Sequence, residues 1–472
     1  MKILYFIVTW GIILNSVSCV KLQENPESFI SPINFYKTEA DAKAAINSVY
    51  NDLGNLYKTP QMWTVIDYST DDSKPGPGVN DANILQIANY THSSTNVLLG
   101  RIWSVSYSGI NRANTVLDRI SPMTNIQEKT KVQILGEAKF LRALFYFNLV
   151  RLFGDVPLIL KSTEQNEGLL VTRTSKEEVY KQIIADLKDA ENELPGTYSG
   201  QDIGRATQDA AKGILAKVYL TQQAWQLSYD KSKEVLNSKN KAYGLWDNYI
   251  DAFKPGNENG KESIFEVQYQ GNLNNLGTQI MRQMLPRNIS FFIGWDTWIP
   301  DPDILKSYEN GDERKSLTYF TQYTKDGKTV NFPEHITKYI DPVAINGNTL
   351  DAGSNYPILR FPDVLLMYAE AANELGGKTT EVLGYLNKTR TRAKLLSLTI
   401  TDKNLLRDAI LNERRFELVF EGHRWFDLVR TNRLVSTLRA KGNSNIQDFH
   451  VLFPIPQRDI DINPNLIQNK GY

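Results

Sequence analysis

The 472-residue sequence predicts a mainly α fold of stacked helical hairpins, with long irregular inserted loops and minor β structure. Three observations support this fold class. Apolar residues recur at helical spacing in many segments, and short connections separate these segments. Two long stretches, 59–99 and about 271–359, lack that spacing. The clearest helix covers 127–153, where one continuous apolar face is formed by Ile134, Ala138, Leu141, Phe145, Leu149 and Leu152.

The remaining elements follow in chain order. Thr38 and Asp41 form a weak capping box that opens the first helix. Gly154 and Pro157 end the helix 127–153, and Pro195 ends another. Alternating β-branched and polar residues predict a strand within 262–270. The other predicted helices cover 100–119, 174–193, 206–225, 228–239, 362–376, 379–394 and 402–421.

Stacked helical hairpins are the geometry of tetratricopeptide repeats, which have a 34-residue period. No clean repeat of that period is found, so the predicted superhelical array is tetratricopeptide-like but degenerate. We divide the chain into a helical region, 19–255, that holds the irregular stretch 59–99, and a region 256–472 that holds the second. Long irregular stretches inside a compact protein are often functional.

Composition excludes several classes of function. The 53 basic and 53 acidic residues give a formal net charge of zero, and no basic block occurs, so nucleic acid is a poor partner. A single cysteine excludes a disulfide framework and cysteine-based zinc sites, and the four histidines lack metal-ligand spacing. Neither a G-x-S-x-G motif nor a nucleotide-binding glycine motif occurs. We therefore expect no cofactor and no resident metal.

The N-terminus has the pattern of an export signal. Lys2 precedes an apolar run over 3–14, and Cys19 follows small residues. The run is shorter than the roughly 20 residues of a membrane span. We interpret 1–18 as a lipoprotein signal peptide and Cys19 as the lipidated first residue, which would anchor the protein to a membrane. The alternative is ordinary secretion with an incidental cysteine.

Two glutamates on one predicted helix raise the question of catalysis. Glu413 and Glu417 lie four residues apart on an otherwise apolar face. A glycosidase uses two carboxylates, but its pair must flank a bond from two sides, whereas neighbours on one helix point the same way. We favour a structural ion network instead, because unpaired buried charges are costly. Candidate partners in the same half of the chain are Arg360, Arg392, Arg414 and Arg424. His423, between Gly422 and Arg424, is interpreted as a structural histidine.

An acidic segment, 67–72, is rich in oxygen ligands. Calcium binds six to eight oxygens, so this segment is a candidate site. It lacks the glycine and the closing glutamate of an EF-hand loop. A solvated loop is therefore the favoured interpretation, with calcium as the alternative.

Several segments of the chain form long, specific motifs. The C-terminal half contains PILRFPDVLLMYAEA at 357–371, ILNERRFELVFEGHRWFDLVR at 410–430 and PIPQRDIDINPNLIQNKGY at 454–472. The N-terminal half contains EAKFLRA at 137–143, and Trp103 with Tyr107. Together these segments resemble the SusD/RagB family of surface glycan-binding lipoproteins. The resemblance implies a helical fold with tetratricopeptide-like pairs and an inserted irregular region. It also implies an outer-membrane location that faces the cell surface, and a TonB-dependent, SusC-like transporter as partner.

The predicted ligand surface follows from the chemistry of sugars. A sugar ring has an apolar C–H face and a rim of hydroxyls, so it binds to aromatic platforms flanked by carboxylates and amides. The resemblance implies that the two irregular stretches build this surface. The predicted ligand-binding residues are Trp63, Tyr68, Asp71, Asp72, Asn83, Tyr90, Trp295, Asp296 and Trp298. The alternative is that the tryptophans pack onto the helices, as expected for Trp103 and Trp425.

The leading hypothesis is a non-catalytic surface lipoprotein that captures oligosaccharide or polysaccharide and delivers it to a transporter. Three alternatives are a helical scaffold that binds proteins, an uptake lipoprotein for non-carbohydrate cargo, and a secreted glycosidase that uses Glu413 and Glu417. Helical arrays mostly bind proteins, so the fold alone does not separate these.

Overall fold

Long helices pack side by side along most of the chain in a computed structural model. The structure describes residues 35–58, 61–163, 171–271, 276–346 and 351–472. The proposed signal peptide and Cys19 lie outside the described residues. Of the residues before Thr38, only 35–37 are described, and Phe35 packs there edge to face on Tyr36.

The elements are numbered in chain order. The helices of the first half are α1 (Glu39–Lys58), α2 (Met62–Tyr68), α3 (Ala82–Asn89), α4 (Val97–Ile120), α5 (Glu128–Phe153), α6 (Lys176–Glu193), α7 (Gln208–Thr221) and α8 (Trp225–Leu236). Those of the second half are α9 (Ile280–Met284), α10 (Pro302–Ser307), α11 (Glu313–Thr318), α12 (Pro342–Asn346), α13 (Phe361–Leu375), α14 (Thr379–Arg392), α15 (Lys403–Glu417), α16 (Arg424–Arg430), α17 (Leu434–Ala440) and α18 (Gln457–Ile462). The strands are β1 (Ser73–Pro75), β2 (Ser263–Val267), β3 (Trp298–Pro300), β4 (Tyr319–Lys325), β5 (Lys328–Ile336) and β6 (Tyr356–Arg360).

The long helices form one continuous array. Each packs on the next in the order α1, α4, α5, α6, α7, α8, α13 and α14, and α15 also packs on α13. Close approach depends on small residues: a Cβ on Gly109 of α4 would overlap the ring of Phe145 in α5. The mainly α prediction is confirmed.

Polar side chains and glycines set the helix ends. Asn96 caps α4, Thr207 caps α7 and Asp402 caps α15, each accepting a hydrogen bond from a backbone N–H in the first turn. Gly154 has a φ of +72° directly after α5, a conformation that favours glycine. Several predicted helix boundaries therefore lie close to the observed ones.

Among the described residues, the strands form three two-stranded antiparallel sheets, β1–β3, β2–β6 and β4–β5. The predicted strand within 262–270 is confirmed as β2. The β1–β3 sheet joins the two stretches that were predicted to be irregular.

Those two stretches contain more structure than predicted. The stretch 59–99 includes α2, β1 and α3, and the stretch 271–359 includes four short helices and most of the strands. The helices are five to eight residues long. Such lengths are too short for a 3.6-residue period to stand out, which explains the error. Among the described residues, no helix has the length and apolar character needed to cross a membrane.

Candidate functional site

The two predicted ligand-binding stretches meet along β1 and β3. Beyond the sheet, the N–H groups of Gly76 and Gly78 donate to the carbonyl oxygens of Thr297 and Asp296, each at 2.8 Å. A Cβ on Gly78 would overlap the carbonyl oxygen of Trp295. The two glycines therefore allow the backbones to touch, which agrees with the prediction that both stretches contribute to one region.

Trp63 and Trp298 lie in the core beneath this junction. Their rings stack with centroids 4.5 Å apart, and both side chains are 0% exposed. Phe420 packs edge-on against Trp298. The prediction that these two tryptophans contact ligand is wrong, because a fully buried ring has no surface to offer. The alternative, in which they pack onto the helices, is correct here, and Trp103 and Trp425 are likewise buried.

Tyr68, Asp71, Asp72 and Tyr90 are buried as well. The hydroxyl of Tyr68 donates to the carbonyl oxygen of Thr297 at 2.6 Å, and that of Tyr90 to Ser69 at 2.6 Å. These two hydroxyls hold loop backbone in place. The prediction of direct ligand contact is therefore wrong for all four residues.

The acidic segment 67–72 forms ion pairs with two arginines. Asp71 forms an ion pair with Arg424 at 2.9 Å, and Arg415 bridges Asp71 and Asp72 at 2.8 and 2.6 Å. Burial, together with the nearby charge of Asp72, raises the pKa of the Asp67 carboxyl well above its usual value. The solvated-loop interpretation is wrong, because the segment is buried, and arginines pair with the Asp71 and Asp72 carboxylates that a calcium ion would need. Among the described residues, no three His, Cys, Asp or Glu side chains cluster as metal ligands.

Asn83 is half-buried, and its side chain is engaged within the protein. Its Nδ2 donates to Asp81, and its Oδ1 accepts from the backbone of Val97 at 3.1 Å. This arrangement ties the start of α3 to the start of α4. The side chain of Asn83 therefore has a structural role, because its hydrogen bonds hold the starts of α3 and α4 together.

Trp295 and Asp296 are the predicted residues that remain at the surface of the junction, each half-buried. Asp296 has a φ of +53°, so the backbone turns sharply between Trp295 and Trp298. His335 orients the Asp296 carboxylate: its Nε2 lies 3.0 Å from Oδ1, and its Nδ1 lies 2.7 Å from the carbonyl oxygen of Pro333. The carboxylate is thus held in one position at the surface.

Other aromatic side chains lie close to His335, and the rings of Phe320 and Phe332 pack edge-on against its ring. Phe291 and, from the β4–β5 hairpin, Phe320, Tyr323 and Phe332 are half-buried and pack on a small apolar core that includes Met281 and Leu285. We call Phe291, Trp295, Asp296, Phe320, Tyr323, Phe332 and His335 the aromatic surface.

Sequence reasoning missed the hairpin residues of the aromatic surface. Asp326 and Gly327 have φ values of +51° and +73°, as a tight hairpin turn requires. The Asp-Gly pair between alternating segments was the signal that would have revealed the hairpin. Strict alternation would nevertheless put Phe320 and Tyr323 on opposite faces of the strand, and the register irregularity between Phe320 and Gln322 carries no such signal in the sequence.

Glu413 and Glu417 belong to a buried ion network. Arg314 lies 2.6 Å from Glu413 and 3.4 Å from Glu417. Glu417 also pairs with Arg392 at 2.5 Å and with Arg360 at 3.4 Å. Although burial opposes it, the charges of these arginines hold the pKa of the Glu417 carboxyl below its usual value. Both carboxylates face arginines inside the protein, so they do not flank a space where a glycosidic bond would lie.

The partners of this network differ in part from those expected. Arg360 and Arg392 do pair with Glu417, whereas Arg414 pairs with Asp363 and Asp427 instead. Arg424 pairs with Asp71. Arg314 was missed, since it lies 99 residues before Glu413 in the sequence. His423 is buried beside Lys217, and burial lowers its pKa to about 3, in agreement with a structural role.

Comparison with known proteins matches both ends of the chain to one family. The model described as SusD family matches residues 316–472, and the model described as starch-binding, associating with outer membrane, matches residues 27–220. The chain therefore belongs to the SusD family.

Individual relatives extend along most of the chain. SusD-like protein P25 of Formosa agariphila is 28% identical over the full length of both chains. The starch-binding protein SusD of Bacteroides thetaiotaomicron is 25% identical over 77% of this chain and 76% of its own. The solved structure of a laminarin-binding SusD-like protein is 29% identical, has a TM-score of 0.83 and covers 93% of this chain and 100% of its own.

Proposed function

We propose that this protein is a non-catalytic, lipid-anchored outer-membrane protein. It binds an oligosaccharide or polysaccharide and delivers it to a TonB-dependent, SusC-like transporter. The observation that carries the proposal is the aromatic surface, where a half-exposed tryptophan stands next to a carboxylate fixed by His335. Relatives that bind starch or laminarin support a glycan as the ligand.

The chemistry of the aromatic surface suits a sugar. The ring of Trp295 offers a flat apolar face for the C–H groups of one sugar ring. The Asp296 carboxylate accepts hydrogen bonds from hydroxyls, and its bond to His335 reduces the entropy lost when it does so. We expect the aromatic side chains near His335 to add further contacts, so that a chain of sugars, rather than a single ring, binds.

We expect replacement of Trp295 with alanine to weaken glycan binding about tenfold or more, which corresponds to a loss of about 1.4 kcal/mol. Truncation removes the platform while Asp296 and the hairpin remain. Affinity electrophoresis through gels that contain laminarin, starch or other plant, fungal and host polysaccharides identifies the polymer. Titration calorimetry with its hexasaccharide then measures the loss.

The matched control is Trp225→Ala, which removes a half-buried tryptophan at the start of α8. We expect it to leave affinity unchanged. Equal affinity of Trp295→Ala and wild type would remove Trp295 from the site. Shortening of the polysaccharide by the wild-type protein would contradict a non-catalytic role, and binding of peptides instead of glycans would favour the protein-binding alternative.

The membrane anchor is tested separately. Replacing Cys19 with serine removes the thiol that would carry the lipid, and we expect the protein to move from the membrane fraction to the soluble fraction. Fractionation with immunoblotting measures the change, and labelling of intact cells reports whether the protein faces outward. Unchanged retention of the Cys19→Ser variant would contradict lipidation. Co-purification of a transporter with the wild-type protein tests the partner.

A further inference from the structure

A second concave surface lies between α1, the segment 200–205 and the end of β2. It encloses about 340 Å³, within the usual range for ligand sites. We call it the amide cleft, and the lining residues used below are Asn47, Asn51, Gly54, Asn55, Arg205 and Tyr269. None of them belongs to the aromatic surface.

One wall of the amide cleft is a row of asparagines. Asn47, Asn51 and Asn55 are spaced four residues apart on α1, so they share one face of the helix, and all three are exposed. The Oδ1 of Asn47 accepts a hydrogen bond from Arg205 at 2.6 Å. Within the described part of the chain, Asn51 and Asn55 make no side-chain hydrogen bond. Each amide therefore keeps both a donor and an acceptor for a ligand.

A glycine opens the cleft between these asparagines. Gly54 lies inside α1, where glycine weakens a helix relative to alanine. A Cβ placed on it would have no described atom within 4 Å, whereas one on Gly109 would overlap Phe145. Packing within the described residues therefore does not require a glycine here. A side chain at this position would instead fill the space beside Asn51 and Asn55.

Apolar surface is present next to the amides. Tyr50 and Tyr269 line the cleft and are half-buried, and their hydroxyls are used inward: Tyr269 donates to the carbonyl oxygen of Gly54, and Tyr50 accepts from the backbone of Ala206. The ring of Tyr269, rather than its hydroxyl, is therefore available to a ligand, whereas the guanidinium of Arg205 lies over the ring of Tyr50, 5.6 Å from its centre. Ile203, 51% exposed, extends the apolar part.

Two of the charged groups that line the cleft are engaged within the protein, and Lys58 lines it as well. Arg205 forms ion pairs with Glu137 at 2.9 Å and with Asp202 at 2.7 Å. The carboxylate of Glu266 accepts hydrogen bonds from Asn259 and Asn355. Amides, aromatic rings and charged groups engaged within the protein together match a ligand that is uncharged, rich in hydroxyls and partly apolar.

We infer that the amide cleft is a second binding site for a neutral oligosaccharide, separate from the aromatic surface. This inference rests on the proposed function, since it assumes that the protein binds glycans. A neighbouring cleft of about 200 Å³ contains Tyr198 and Tyr243, and it shares the segment 203–205 with the amide cleft. The two clefts together leave room for several sugar units on this side of the protein. Two sites on one molecule would raise the apparent affinity for a long polymer beyond that for a short one.

The test fills the cleft without disturbing the fold. Gly54→Phe places a ring in the open space between Asn51 and Asn55, and Gly384→Phe is the matched control, since Gly384 is also helical and unobstructed. Both variants are made in the full-length protein, alone and with Trp295→Ala. Gels that contain a panel of neutral polysaccharides come first, and calorimetry with a hexasaccharide of the retarding polymer follows.

We expect two binding events in wild type and in Gly384→Phe, and one each in Gly54→Phe and Trp295→Ala. In the double variant that combines Gly54→Phe with Trp295→Ala, the affinity for the hexasaccharide should fall about tenfold or more below that of either single variant. Asn51→Ala with Asn55→Ala should reproduce the effect of Gly54→Phe. If Gly54→Phe matches Gly384→Phe in stoichiometry and affinity while Trp295→Ala abolishes binding, the second site is overturned and the proposed function stands. If no polymer retards the wild-type protein, both fall.

Discussion

Replacement of Glu417 with glutamine is expected to lower the free energy of unfolding by about 3–5 kcal/mol, the usual cost of breaking a buried ion pair. The Glu417 carboxylate is fully buried and forms ion pairs with Arg314, Arg360 and Arg392. An amide of the same size keeps the shape but removes the charge. Three guanidinium groups then lose part of the negative charge that balances them, at a buried site where water cannot replace it.

Urea unfolding followed by circular dichroism measures this loss. The matched control is Asp408→Asn, because Asp408 pairs with Arg433 at the surface, where such a pair contributes about 0–1 kcal/mol. Binding by the folded fraction of Glu417→Gln should equal that of wild type. A Glu417→Gln protein as stable as Asp408→Asn would contradict the structural role of the network.

Replacement of Trp298 with alanine is expected to cost about 3–5 kcal/mol of stability, as for other large core side chains. The ring stacks on Trp63 and meets Phe420, so its removal leaves a cavity beneath the junction of β1 and β3. Tryptophan fluorescence during urea unfolding measures the loss. Trp295→Ala is the internal control, since that side chain is half-buried and its removal creates no enclosed cavity.

The two tryptophan variants should therefore have opposite profiles. Trp298→Ala loses stability, and it loses binding only to the extent that it unfolds, whereas Trp295→Ala stays folded and binds the glycan more weakly. A Trp298→Ala protein with the stability of wild type would show that the stacked pair contributes little to the core.

The sequence predicts the long helices and β2 because their apolar residues repeat over many turns or alternate regularly. The helix 127–153, for example, differs from the observed α5 by one residue at its start. Elements such as α2, α9 and β1 escape this reasoning, because three to eight residues carry too little periodicity. Their conformations depend on contacts with distant parts of the chain.

The candidate site is harder to predict for the same reason. Trp295 and Trp298 are three residues apart in one loop, yet the left-handed backbone of Asp296 directs one towards the surface and the other into the core. Nothing in the local sequence distinguishes them. Likewise, Arg314 reaches Glu413 across 99 residues, so spacing along α15 indicates that partners are needed but not which ones.

The β1–β3 junction also has a consequence for how the protein folds. The hydroxyl of Tyr68 reaches Thr297 across 229 residues of sequence, and closing so large a loop costs chain entropy before its contacts can compensate. The contacts between helix pairs such as α4 and α5 are local in sequence and form early. The junction forms only when both halves of the chain are present. During synthesis, a partly completed chain accordingly has only the first part of the helical array, α1 and α4–α8, to pack before Trp295 and Asp296 take up their native positions.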